Sequence, residues 1–208
     1  MIIEFIEASH TYVVDGMVTP SVTTLIHSLW MKDQYHGIPE RTLKQAAAYG
    51  DKVHGLIEYW NNKSEEPDWF GRKSYEGIAL RRYQKLQSQH DIKAIMQEQP
   101  VAYEEDGVPL FAGKFDMYGE VDGEPAIVDF KTTSKYYPEY LTYQLTLYKL
   151  ALKATYDIDV EKAYCLWLPK KHLGNLIKVS FYDTEKLLRD IRQWHIQNQR
   201  YPMNDDAF

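Results

Sequence analysis

The order of the elements predicted from the sequence indicates an α/β fold in which helices flank one central mixed β-sheet. Two Asp-Gly pairs divide residues 93–131 into three successive strands, because Asp-Gly is a strong signal for a two-residue hairpin turn. Helical periodicity precedes this meander. A long helix, two further strands and a last helix follow it.

Chain length and composition predict one folded domain with a substantial core. The chain has 208 residues, of which 44% are apolar and 26% charged, and this balance excludes intrinsic disorder. We expect a single domain over residues 1–208. Within it, residues 1–40 add a hairpin and a helix, residues 41–182 form the core, and residues 183–208 supply a C-terminal helix.

The first ninety residues contain one predicted strand pair and three predicted helices. Asp15-Gly16 is the expected turn between strands over residues 5–14 and 17–19. Helices are expected after Pro20-Ser21, over residues 41–61, and, beyond a polar loop at 61–73, over residues 74–90.

The remainder of the chain alternates strands and helices. Asp106-Gly107 and Asp122-Gly123 are the two turns of the meander. The elements expected after it are a helix over residues 138–155, strands over residues 162–168 and 176–182, and a final helix that begins at Asp183 or Thr184.

Composition also excludes several classes of site. The single cysteine, Cys165, excludes a disulfide framework, a zinc site built from cysteines and an iron–sulfur cluster with four cysteine ligands. No apolar run reaches the length of a membrane span, and the N-terminus lacks the features of a signal peptide, so we expect a cytoplasmic protein with no membrane contact. Taken alone, the net charge of −6 argues against a nucleic-acid partner.

The second Asp-Gly turn predicts that two carboxylates oppose each other. If Asp122-Gly123 closes a regular hairpin, Asp116 lies opposite Asp129, and their Cβ atoms are about 4.5–5.5 Å apart. Lys131 is two residues beyond Asp129 and shares its face. Opposed like charges destabilise a sheet unless a positive charge lies between them.

A hard divalent cation fits this arrangement. Mg²⁺ prefers oxygen ligands and binds through one or two carboxylates together with phosphate and water. It can polarise a phosphoryl oxygen and lower the pKa of a bound water, while the Lys131 ammonium offsets developing charge. Isolated Asp-x-Lys triplets are, however, usually solvated surface charges.

This segment resembles the active-site hairpin of the PD-(D/E)XK nuclease superfamily, in the branch that contains the RecB nuclease domain and phage exonucleases. Other parts of the chain resemble the same branch. They are His54 in Tyr49-Gly-Asp-Lys-Val-His54, the pair in Gln144-Leu-Thr-Leu-Tyr148, Glu98 before Pro100-Val101, and the opening His10-Thr-Tyr with Pro20-Ser-Val-Thr. The sequence departs from the pattern in having Phe115, and not proline, before Asp116.

The resemblance implies a restriction-endonuclease-like core and a set of site residues. Asp116, Asp129 and the carbonyl of Phe130 would hold Mg²⁺, with His54 and Glu98 as further ligands. Lys131 would assist the attacking water, and Gln144 and Tyr148 would orient the lysine or contact DNA. An imidazole ligand would make activity with Mn²⁺ unsurprising. The iron–sulfur subtype is excluded.

Four of these residues also have a structural interpretation. His54 lies on the apolar stripe of its helix, where a core histidine is common. Gln144 and Tyr148 share a helix face, where Tyr148 could be core and Gln144 its polar border. In a regular hairpin Glu98 pairs near Phe115 and points away from Asp116, whereas one bulge at Pro109 or Gly113 would reverse this.

Aromatic and basic residues near the lysine strand are candidates for DNA contacts. Tyr136, Tyr137 and Tyr140 are the expected positions for base stacking at the rim. Basic residues on several elements could contact phosphates, although such residues usually form a solvated surface. They are Arg72, Lys73, Arg81, Arg82, Lys85, Lys135, Lys149, Lys153, Lys170 and Lys171.

The sequence therefore predicts a Mg²⁺-dependent deoxyribonuclease. The resemblance implies an exonuclease of phage or prophage type that digests linear duplex ends in recombination or repair, together with a strand-annealing partner. Homo-oligomers occur in the wider family. Two alternatives remain open: a catalytically silent DNA-binding or assembly module on the same fold, and another metal-dependent hydrolase, such as an endonuclease or an enzyme acting on RNA or nucleotides.

Overall fold

A computed structural model describes residues 1–34, 36–67, 71 and 73–198. The helices are α1 (Val22–Leu29), α2 (Glu40–Lys63), α3 (Tyr75–Gln89), α4 (Pro138–Tyr156) and α5 (Thr184–Gln197). The strands are β1 (Ile3–Ile6), β2 (Thr11–Val14), β3 (Met17–Thr19), β4 (Lys93–Glu105), β5 (Val108–Val121), β6 (Glu124–Lys131), β7 (Lys162–Trp167) and β8 (Asn175–Val179).

The central sheet has five strands in the order β4-β5-β6-β7-β8. Strands β6 and β7 run parallel, and the other neighbours are antiparallel, so the predicted mixed sheet is confirmed. Helix α4 connects the two parallel strands. Its first turn begins at Pro138, which is suited to this position because a proline there has no helical hydrogen bond to lose.

The N-terminal segment differs from the prediction. Residues 5–14 are not one strand but parts of β1 and β2, which a short 3₁₀ helix at Glu7–Ser9 separates. The three short strands form their own sheet. The extended stretch is broken at His10, whose φ of 51° lies in the left-handed region.

The other predicted elements are present with small shifts at their ends. Helix α2 extends to Lys63, which shortens the loop predicted at 61–73, and β8 ends at Val179 rather than at residue 182. Both Asp-Gly turns of the meander have positive φ angles at both residues, as a two-residue hairpin of this kind requires. The last helix is capped by Asp183, which accepts a hydrogen bond from the Lys186 backbone N–H.

Hydrophobic cores cover both faces of the sheet. On one face α1, α4 and α5 pack around Ile127 and Cys165, and on the other α2 and α3 pack against Met117 and Val128. Helix α4 is buried on most of its circumference. Phe115 departs from the alternation, since it packs with the α4 core and not beside Met117.

Two bulges shift the register of the β4–β5 hairpin. Next to Pro109, the pairing changes from Glu104 opposite Pro109 to Tyr103 opposite Phe111, so Leu110 is an extra residue. The register then places Gln97 opposite Met117 and Gln99 opposite Phe115, which brings Glu98 opposite Asp116. A second shift at Ala94 and Met96 restores the original register. The bulge considered at Pro109 is therefore present.

Neighbouring elements hold the bulged hairpin in place. The Leu110 carbonyl accepts a hydrogen bond at 2.7 Å from Nε2 of His195 on α5. Arg192, also on α5, donates to both carboxylate oxygens of Glu105 at 2.7 and 2.8 Å. On the N-terminal side, the Ala112 N–H donates to the Pro20 carbonyl at 3.0 Å. Within the described residues, none of the helices has the length and hydropathy needed to cross a membrane.

Gly119 and Gly55 offer a matched test of the packing. A Cβ at Gly119 would lie 1.9 Å from the Lys93 carbonyl oxygen at the second bulge, so Gly119→Ala should destabilise the protein by at least about 2 kcal/mol or prevent folding. At Gly55 on α2, an added Cβ would meet no atom within 4 Å, so Gly55→Ala should be neutral or stabilise by up to ~1 kcal/mol. Urea unfolding measures both. Equal changes in the free energy of unfolding for the two variants would contradict this packing.

The Glu105–Arg192 pair should make stability depend on pH. The hydrogen bonds from Arg192 outweigh burial and lower the pKa of Glu105, so the contribution of the pair is complete above the unfolded pKa and is lost as pH falls through the lowered folded pKa. Glu105→Gln should therefore cost about 1 kcal/mol at pH 7 and much less near pH 3. Urea unfolding at both pH values tests this, and an equal loss at both would contradict it.

Candidate active site

Helix α2 and strands β4, β5 and β6 bring five of the predicted site residues to one region. Helix α2 supplies His54, the bulged hairpin supplies Glu98 and Asp116, and β6 supplies Asp129 and Lys131. The five side chains are mostly buried, with exposed fractions between 3% for Asp129 and 23% for His54 and Lys131. The cores on both faces of the sheet fix the strands that carry them.

His54, Glu98 and Asp116 form a cluster of potential metal ligands. One ligand atom from each lies within 4.8 Å of the others. His54 Nδ1 is 3.5 Å from Glu98 Oε1 and 3.6 Å from Asp116 Oδ1. The backbone of Glu98 has a φ of 51°, an unfavourable conformation for a glutamate of the kind often found at functional sites.

The Asp116 side chain forms a hydrogen bond to the backbone of β6 where the regular β5–β6 pairing ends. The β5–β6 ladder ends at Met117 opposite Val128, one residue before the pair that the turn places opposite, Asp116 and Asp129. There, Asp116 Oδ2 accepts a hydrogen bond from the Phe130 N–H at 2.6 Å. This bond fixes the orientation of the carboxylate and leaves Oδ1 facing His54.

Asp129 and Lys131 form a buried ion pair. Lys131 Nζ donates to Asp129 Oδ1 at 2.8 Å and lies 2.7 Å from Oδ2, which accepts no directed hydrogen bond within the described part of the chain. Burial is the largest influence on Asp129 and, with the charge of Asp116, raises its pKa to about 6 despite the lysine. For Lys131, the two aspartates outweigh burial and raise the pKa, so the ammonium stays charged.

His54 supplies positive charge to the same carboxylates. Burial alone would lower its pKa, but Asp116 and Glu98 outweigh burial and raise the pKa to about 9. Its Nε2 donates to the Phe130 carbonyl at 3.1 Å. The histidine is therefore part of the site, and the carbonyl predicted as a metal ligand is its hydrogen-bond partner.

Gln144 and Tyr148 are both buried on α4. Gln144 is 6% exposed, and its Oε1 has no hydrogen-bond partner among the described residues. Tyr148 is buried, and burial followed by the charge of Asp116 raises its pKa. Its ring covers Gly113 so closely that a Cβ there would lie 2.7 Å from Cε1. Tyr148 is thus both core and neighbour of the carboxylates.

The residues present fit a divalent cation. Two carboxylates and an imidazole lie close together in a partly dehydrated site, and burial, followed by the charge of Asp116, raises the pKa of the neighbouring Asp129 despite Lys131. Oxygen donors of this kind are those that Mg²⁺ and Mn²⁺ prefer, and the imidazole is better suited to Mn²⁺. Glu98 and Asp116 would hold the cation, with Asp129 beside them.

Sequence reasoning missed two residues of the site. Lys114 pairs with Glu98 Oε2 at 2.5 Å and supports the carboxylate from the hairpin. Gly113 leaves room for the Tyr148 ring. Neither residue belongs to a sequence pattern that would mark it as part of the site. The place of each residue relative to the site depends on the register that the Leu110 bulge sets.

Two cavities adjoin Lys131. A groove of about 660 Å³ lies between α2 and the residues after β6 and β7, and a smaller cleft of about 170 Å³ lies towards α4. The tyrosines predicted at the rim, Tyr136, Tyr137 and Tyr140, all line the smaller cleft. Of the basic residues suggested for phosphate contacts, Lys170 and Lys171 line the larger groove, and Arg72 lies outside the described residues.

A sequence model of the PD-(D/E)XK nuclease superfamily matches residues 15–205, nearly the whole chain. The chain belongs to the PD-(D/E)XK nuclease superfamily. The family carries the expected fold, nuclease chemistry and a general dependence on divalent cations. The predicted family membership is therefore confirmed.

Similarity to solved structures is distant. A candidate exonuclease from Eubacterium rectale matches with a TM-score of 0.48 and 12% identity, over 89% of this chain and 85% of that one. The protein SSO0001 matches with a TM-score of 0.43 and 15% identity, over 88% of this chain and 78% of that one. No curated protein sequence matches this chain.

Metal binding can be tested through stability. A divalent cation that binds the folded state at 100 times its dissociation constant should stabilise the protein by about 2.7 kcal/mol, or roughly 5–10 °C in melting temperature. Asp116→Asn should abolish this shift with Mg²⁺ and Mn²⁺. Glu120→Gln, on the same strand but outside the cluster, should retain it. An unchanged shift in Asp116→Asn, measured by thermal denaturation, would place the cation elsewhere.

Proposed function

We propose that this protein is a metal-dependent DNA nuclease that hydrolyses phosphodiester bonds at the Asp116/Asp129/Lys131 site. The observation that carries the proposal is the convergence of Glu98 and His54 on Asp116, beside the buried Asp129–Lys131 pair. Ligands and lysine come from separate segments, and the register of one hairpin brings them together. Surface charges without a function would not be expected to be buried in this way.

The carboxylates have a binding role in this proposal. Asp116 and Glu98 hold a divalent cation, and Asp129 completes the set from β6. The cation, when bound, polarises a phosphoryl oxygen and lowers the pKa of a water molecule. His54, which is hydrogen-bonded to the Phe130 carbonyl, and Lys114, which is paired with Glu98, position the ligands.

Lys131 has an electrostatic role. In hydrolysis the oxygen of water forms a bond to phosphorus, the bond from phosphorus to the leaving oxygen breaks, and negative charge grows on the phosphoryl oxygens. Because the neighbouring aspartates raise the pKa of Lys131, its ammonium remains available to offset this charge. In this proposal Gln144, whose buried Oε1 has no hydrogen-bond partner among the described residues, orients the lysine or a substrate group.

The proposed cation, substrate and biological role rest on the sequence motifs. Their resemblance to phage exonucleases supports Mg²⁺ as the cation, linear duplex ends as the substrate, and a role in recombination or repair with a strand-annealing partner. Activity with Mn²⁺ is compatible with the imidazole near the carboxylates. Homo-oligomerisation and a cytoplasmic location belong to the same proposal.

Cleavage assays test the activity. Linear and circular duplex DNA are incubated with the protein in Mg²⁺, in Mn²⁺ or in chelator. We expect metal-dependent loss of linear DNA alone. Asp129→Asn, which keeps the shape of the buried side chain, should lower the rate by at least about 100-fold because it removes a charge that binds the cation. Circular dichroism shows whether the variant is folded.

Other outcomes identify the alternatives. Cleavage of circles would indicate an endonuclease, and cleavage of RNA alone would indicate a ribonuclease. If neither DNA nor RNA is cleaved with either metal, the proposal of an enzyme is contradicted and a binding or assembly module is favoured. Full activity in folded Asp129→Asn would show that the catalytic site lies elsewhere.

A further inference from the structure

The larger groove has a positively charged lining, and two of its lysines, Lys170 and Lys171, lie outside the proposed catalytic set. It runs between α2 and two connecting segments, residues 132–134 after β6 and 169–172 after β7. His54, Phe130 and Lys131 line it as well, so it opens onto the candidate active site. Lys131, Lys170 and Lys171 face it, against one acidic lining residue, Asp51.

Lys170 is held at a defined position in this lining. Its ammonium lies 3.9 Å from the centroid of the Tyr49 ring and 5.6 Å from that of Tyr75. Tyr49 is almost fully buried on α2, so its ring is a fixed support. Next to the lysine, the Pro169 carbonyl accepts a hydrogen bond from Arg82 of α3, which anchors the segment.

Lys170 forms no ion pair within the described part of the chain. No carboxylate among residues 1–34, 36–67, 71 and 73–198 lies within ion-pair distance of it. Lys114 and Lys149, by contrast, each have a carboxylate partner on the protein. An ammonium that is fixed over an aromatic ring and has no carboxylate partner among the described residues is suited to an anionic ligand.

The other lining groups match a sugar-phosphate backbone. Thr132, Thr133 and Ser134, whose side chains carry hydroxyl groups, line the same groove. Lysine ammonium and Ser/Thr hydroxyl groups are common phosphate contacts in nucleic-acid complexes. Grooves that bind single strands combine such charge with aromatic rings, as Lys170, Tyr49 and Tyr75 do here.

We propose that the groove between α2 and residues 169–172 binds the phosphates of one nucleic-acid strand, and that Lys170, supported by Tyr49, is the residue that positions this strand. The inference rests on the proposed nuclease function, because the groove leads to Lys131. It adds the path of the strand and a binding residue outside the catalytic set.

Binding of a fluorescent single-stranded oligonucleotide, measured by anisotropy with EDTA present, tests the inference without cleavage. Lys170→Ala should weaken binding by about 3- to 10-fold and reduce the dependence of log affinity on log salt concentration by about 0.7, the value for one phosphate contact on a single strand. Lys170→Arg should bind like the wild type. Lys178→Ala, which removes an exposed lysine on β8, is the matched control.

Steady-state cleavage of the same strand gives an independent readout. Lys170→Ala should raise KM by about 3- to 10-fold and leave kcat within about twofold, because a strand-positioning contact is made equally in the ground and transition states. Equal affinity of the wild type and Lys170→Ala, an equal loss in Lys178→Ala, or no wild-type binding would overturn the inference. Failure of the nuclease proposal is distinguishable, since it appears as absent cleavage whatever the binding result.

Discussion

The one-residue bulge at Leu110 is the constraint on which the site depends. Without it, Glu98 would lie opposite Phe115 and point away from Asp116, and the cluster with His54 would not form. The bulge leaves the Leu110 carbonyl outside the ladder, and His195 of α5 satisfies it. The distant C-terminal helix therefore contributes to the active site by fixing the register of a hairpin.

Concentrated negative charge is the second feature of the site. Asp116, Asp129 and Glu98 are partly dehydrated, and cationic side chains of the protein offset their charge. Lys131 pairs with Asp129, and Lys114 pairs with Glu98. His54, whose pKa is raised, lies between Glu98 and Asp116. The net charge of −6 therefore says little about partners, since some of the acidic residues lie at the candidate metal site. The larger groove beside that site has the opposite local charge.

Much of the fold can be predicted from local sequence patterns, but the candidate site can be predicted only in part. The Asp122-Gly123 turn fixes the β5–β6 register, which is why the proximity of Asp116, Asp129 and Lys131 can be predicted from the sequence. Pro109 makes a bulge in the β4–β5 hairpin plausible but does not establish it, so the sequence leaves open the face of the sheet to which Glu98 points. The support of Lys170 by Tyr49 joins residues far apart in the chain, and only the tertiary fold brings them together.

The most direct test of the proposed metal site is the anomalous scattering of Mn²⁺ in a crystal of the wild-type protein. We expect a manganese peak within about 2.0–2.3 Å of carboxylate oxygens from Asp116 and Glu98, with Asp129 in or next to the coordination shell. A peak that lacks both Asp116 and Glu98, in a crystal whose β4–β5 hairpin keeps the Leu110 bulge, would contradict the dependence of the site on that bulge.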